Sequence, residues 1–150
     1  MGDEEKAVVD CIHACKQKFA FVDSQATTQA VGAVAGIFQI KGQHGVACDK
    51  LNCRLKKKFN TAQTAIAILD LACYACQVPL TREETKIICE TTKTRVPRVK
   101  KTRSVIRELL RGPPYACETG ENREDQLQIQ TTEDIAAAQR LAGGNNGAHA

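Results

Sequence analysis

TAQTAIAILDLACYACQ, residues 61 to 77, decides the fold class. Ala62, Ala65, Ile66, Leu69, Ala72, Cys73 and Cys76 recur at three- and four-residue intervals as one stripe, and Ile68, Leu71 and Ala75 form a second stripe on the other side. A helix apolar around most of its circumference must be surrounded by other elements, so this one is predicted at the centre of an all-α bundle. Downstream, Thr81 and Glu84 have capping-box spacing and open a helix over 82–92. Val96-Pro97 begins the next helix, which turns Val99, Val105, Ile106, Leu109 and Leu110 inward. Upstream, residues 4–22 align Val8, Cys11, Ile12, Cys15 and Phe19, and residues 28–40 align Val31, Val34, Ala35 and Phe38. Gly32 and Gly36 leave room for another helix to approach closely. Residues 41–49 carry two glycines and read as a loop, followed by a short basic helix over 51–59. No alternation of strand length competes, and the sum is a single bundle of five or six helices.

The 150 residues suffice for one domain, and 43% hydrophobic with 25% charged residues is the balance of a globular chain. The longest uncharged stretch, 24–40, is too short and too polar to cross a bilayer, so no membrane partner is expected. Asp3, Glu4 and Glu5 stand where a secretory signal would be basic; the expectation is an intracellular protein whose eight cysteines are reduced. With 4% aromatic residues and no Trp, a base-stacking RNA platform is disfavoured.

Charge is distributed unevenly under the net +4. Residues 93–111 hold eight cations against Glu108 alone, a net +7, whereas acidic residues prevail after Gly112. Gly112-Pro113-Pro114 marks the change, which places the folded domain at 4–112 and a mostly disordered tail at 113–150. Within that tail, 132–142 has the composition of a short helix, and Ile135 and Leu141 are its candidate partner-binding residues.

The last two helices have the lengths of a helix-turn-helix with a cationic second member. Lys93, Arg95, Arg98, Lys101 and Arg103 are the candidate contacts to duplex DNA phosphates, and Arg54, Lys56, Lys57 and Lys58 extend the track if the fold brings them alongside. Cys73-x-x-Cys76 and Cys11-x-x-x-Cys15 follow apolar stripes and read as core. His44, Cys48 and Cys53 have metal-ligand spacing in a segment that can wrap around an ion, with a fourth ligand to come from Cys11 or Cys117. The expectation is nonetheless no cofactor. Phosphate-loop, zincin and nucleophile-elbow motifs are absent, and an enzyme is not expected.

Thr61, Leu69-Asp70-Leu71-Ala72 and Pro79-Leu80-Thr81-Arg82 resemble the cyclin-like, transcription-factor-IIB-like fold of the sixth subunit of the eukaryotic origin recognition complex. The resemblance covers about residues 60–111. It implies a cyclin-like bundle with a terminal helix-turn-helix, a non-enzymatic DNA-binding role in a nuclear replication-initiation assembly, and a C-terminal helix that docks onto other subunits of that complex. The turn at 89–94 lacks the glycine common in that family, and 150 residues hold one cyclin-like unit where two are usual. The alternatives are a protein-binding adaptor whose basic face meets an acidic partner, and a small structural zinc module.

Overall fold

The computed structural model describes residues 2–118, 135–136 and 138–141. Five α-helices follow in order: α1 (Asp3–Lys18), α2 (Ser24–Ala47), α3 (Thr61–Ala75), α4 (Arg82–Thr92) and α5 (Val96–Arg111), with a 3-10 turn at Arg54–Lys56 between α2 and α3. Among the described residues there is no strand. The all-α expectation holds.

α3 is the centre because its ten residues Thr64–Cys73 are all buried, and α1, α2 and α5 pack around it. Side-chain caps start α2, α3 and α4 where the chain changes direction. Asp23 accepts a hydrogen bond from the Ala26 N–H at 2.9 Å, and Asn60 from the Gln63 N–H at 3.0 Å. Thr81 and Glu84 form the expected capping box. Lys93 then takes a left-handed conformation (φ 57°), so the turn into α5 is made without glycine. Gly112 (φ 89°) ends α5.

Two segments differ from their expectation. α2 does not stop near Ile40 but continues to Ala47, straight through Gly42 and Gly45. Each glycine costs a helix interior roughly 1 kcal/mol, but burial of His44, packing of Ile40 and hydrogen bonds from Lys41 hold this turn in place. Tertiary contacts outweigh propensity here. The helix expected over 51–59 shrinks to the three-residue 3-10 turn, which buries Leu55 against Leu109 of α5. In addition α1 ends at Lys18, short of Val22, and a turn closed by the Val22 N–H on the Phe19 carbonyl leads into α2.

The chain also stays with the bundle after Gly112. Residues 113–118 lie along the 3-10 turn, where the Arg54 N–H donates to the Cys117 carbonyl at 2.8 Å. Of the tail, 119–134, 137 and 142–150 lie outside the described residues. Residues 135–136 and 138–141 are helical, and Ile135 and Ala138 are buried in the main core. Ile135, expected to meet a partner, therefore fills its own bundle, and Leu141 is half-buried.

Gly36 makes that docking possible. A Cβ there would sit 2.1 Å from the Ala138 carbonyl oxygen, a contact that only displacement of the C-terminal helix relieves. Gln139 fixes the register by donating to the Gln29 carbonyl at 3.1 Å. Gly36→Ala is therefore expected to lower the melting temperature and speed proteolytic cleavage of the C-terminal segment, although alanine is the better helix former by roughly 1 kcal/mol. A rise in melting temperature would refute the contact.

Candidate metal centre

At the C-terminal end of α2 four potential ligands converge: His44 Nε2 and the sulfurs of Cys48, Cys53 and Cys117 all lie within 4.8 Å of one another. Nε2 is 3.2 Å from Cys53 Sγ and 3.9 Å from Cys117 Sγ, and the Cys48 and Cys117 sulfurs are 4.0 Å apart. In a tetrahedral zinc site with metal bonds of about 2.3 Å to sulfur and 2.0 Å to nitrogen, ligand atoms stand about 3.5–3.8 Å apart. The observed separations straddle that value, and a disulfide's 2 Å separation is not among them. The set has the Cys3His composition of closed, structural zinc sites, which leave no open position for catalysis.

Each ligand is delivered by a different local cause. His44 projects from the last turn of α2, and Cys48 is that helix's C-cap residue, its N–H donating to the His44 carbonyl at 2.8 Å. Cys53 leads into the 3-10 turn. Cys117 arrives on the segment after α5, and that segment is pinned by charge. Glu108, 3% exposed, accepts from the Ala116 N–H at 2.9 Å and lies 4.0 Å from the Arg54 guanidinium and 3.8 Å from that of Arg111. Arg54 Nε also donates to the Ala116 carbonyl at 3.1 Å. A second, small core of Cys53, Leu55, Leu109 and Cys117, with Tyr115 edge-on to His44 at 4.5 Å between ring centroids, buries three of the four groups and leaves Cys48 half-buried.

Electrostatics suit coordination. Burial, with Lys56 and Lys41 nearby, pushes His44 below the ordinary imidazole range, toward the neutral ring a metal requires. The Lys50 backbone hydrogen bond, helped by the neighbouring thiols and Lys56, draws the Cys48 thiol down. Burial pushes Cys117 up to about 11, so its deprotonation needs a cation's field. By contrast burial pushes Cys73 up to about 12 in the middle of α3, consistent with packing alone. Cys11 pairs with Cys15 on α1 and is not among the four converging groups.

The nine cations expected on DNA separate into four groups. Lys93, Arg95, Arg98 and Lys101 are exposed at the start of α5 together with Lys100, and among the described residues no carboxylate lies within ion-pair distance of them. Arg103 is withdrawn: it points inward and pairs with Asp70 of α3, with 17% and 6% of the two side chains exposed. A carboxylate on the central helix requires a cation, and α5 supplies it. Arg54 and Lys56 brace the four-residue cluster instead of extending the track, Lys56 by donating to the Cys48 carbonyl at 2.6 Å. Lys57 and Lys58 are exposed, Lys58 lying 3.8 Å from Glu4. The 3-10 turn packs at the far end of α5, and a rise of 1.5 Å per residue puts Glu108 about 15 Å along the helix from Arg98. The two basic clusters are not neighbours along α5.

No family model, curated protein or solved structure matches the chain.

Proposed function

We propose that this chain is a non-enzymatic binding domain whose fold is completed by one structural zinc ion held by His44, Cys48, Cys53 and Cys117. The convergence of these four ligand atoms within 4.8 Å, from segments as far apart as positions 48 and 117, carries the reading. Zinc closes the loop between α2 and the segment after α5, so metal binding and folding of this end are linked. Metal analysis of protein purified without chelator tests it, with about one equivalent of zinc expected. Metal-free protein whose melting temperature does not respond to added zinc would refute it.

A second observation favours duplex DNA as the ligand of the opposite end. Lys93, Arg95, Arg98, Lys100 and Lys101 cluster around the positive end of the α5 dipole without competing carboxylates among the described residues. The cyclin-like resemblance and a role in a nuclear replication-initiation assembly belong to this reading; the central place of α3 and the α4–turn–α5 order support it. Arg98→Glu with Lys101→Glu is expected to weaken duplex binding and to reduce the slope of log affinity against log salt by about 2, near 0.9 per lost phosphate contact. Unchanged affinity would remove these residues from the interface.

A further inference from the structure

We propose that Cys48 is a peroxide-reactive modification site whose oxidation joins it to Cys117 as a disulfide and expels the zinc ion. The inference rests on the zinc reading. Of the four ligands, His44, Cys53 and Cys117 are buried and Cys48 alone is partly open to solvent, so an oxidant meets this sulfur first. Its neighbour is already placed: Cys117 Sγ lies 4.0 Å away. Bond formation needs an approach of about 2 Å. Both residues lie outside the helices, Cys48 as the α2 C-cap and Cys117 on the segment after α5. Cys53 is less suited as the partner, because its sulfur is engaged by His44 Nε2 at 3.2 Å, closer than the 3.9 Å of Cys117.

The chemistry balances with a hydroperoxide as oxidant. The Cys48 thiolate attacks one peroxide oxygen, the O–O bond breaks, hydroxide leaves with the electron pair, and a sulfenic acid remains. The Cys117 thiolate then attacks that sulfur, the S–O bond breaks, and a second hydroxide leaves. With hydrogen peroxide, two thiolates and two protons from the buffer yield one disulfide and two waters. The zinc ion keeps its charge but retains only His44 and Cys53, too few for a closed site. The new bond still ties the segment after α5 to α2, so the hydrogen bonds of Ala116 to Glu108 and Arg54 need not break.

The test uses the full chain, loaded with zinc and titrated with hydrogen peroxide in the presence of a chromogenic chelator, followed by peptide mapping under non-reducing conditions. Release of the one zinc equivalent together with a peptide linked through Cys48 and Cys117 is expected, and a dithiol plus zinc should restore the starting state. Zinc retained under peroxide, or released with the bond mapped to Cys48–Cys53 or Cys11–Cys15, would overturn the proposal. A chain that holds no zinc before peroxide is added fails the earlier reading instead, which keeps the two failures apart. Cys48→His preserves a four-ligand set without the reactive sulfur, and its zinc should survive the peroxide dose that empties the unmodified protein; loss at the same dose would also overturn the proposal.

Discussion

Cys53→Ser is expected to abolish stoichiometric zinc binding and to lower the melting temperature by roughly 10–20 °C, while far-UV circular dichroism keeps most of its helical signal. Structural zinc contributes on the order of 10 kcal/mol in small zinc-dependent folds that are unfolded without it. This chain is different, because the main core of α1, α2, α3 and α5 contains none of the four ligands. The bundle should survive as metal-free protein, and the loss should fall on 48–56 and 113–118. At a free zinc concentration about 1,000 times the dissociation constant the metal contributes about 4 kcal/mol, and for a domain of this size each kcal/mol corresponds to roughly 3–5 °C. Differential scanning calorimetry with and without zinc measures the shift. A variant that melts with the parent protein would show that the cluster holds no stabilising ion.

Asp70→Ala is expected to destabilise the bundle by about 3–5 kcal/mol in urea unfolding, the usual cost of removing one member of a buried ion pair. The substitution deletes little volume, so packing alone predicts a far smaller loss; the cost comes from leaving the largely buried guanidinium of Arg103 without the carboxylate it faces. Replacing both partners, Asp70→Leu with Arg103→Met, should recover most of the stability, because two apolar side chains need no solvation. A single-variant loss below about 1 kcal/mol would mean that water reaches the pair freely.

Hydrophobic periodicity made the helices legible. The double stripe of 61–77 located the central element, and the Thr81/Glu84 spacing located the start of α4, because burial and capping leave local marks in sequence. The end of α2 was not legible: two glycines argue for a loop, and only contacts with residues distant in sequence override them. The same limit explains the charges. Eight cations in nineteen residues suggest a uniformly basic face, yet the amphipathic turn of α5 carries Arg103 and Arg107 inward and leaves Lys93 to Lys101 outside. The one available signal for Arg103 was a carboxylate, Asp70, in the middle of the apolar centre of α3. Three of the four candidate ligands were visible as a local cluster. The fourth was only one of two candidates, because no spacing rule connects positions 48 and 117.

The composition of the chain invites a gene fragment cut at Gly112, and the docked C-terminal helix argues against that cut. Such a fragment would lose Cys117 and would uncover the apolar hollow that Ile135 and Ala138 occupy beside Gly36. Whoever expresses this protein for binding assays should carry the reading frame past Leu141; a shorter product would present a sticky, artificial surface, and any affinity recorded with it would describe the wound and not the molecule.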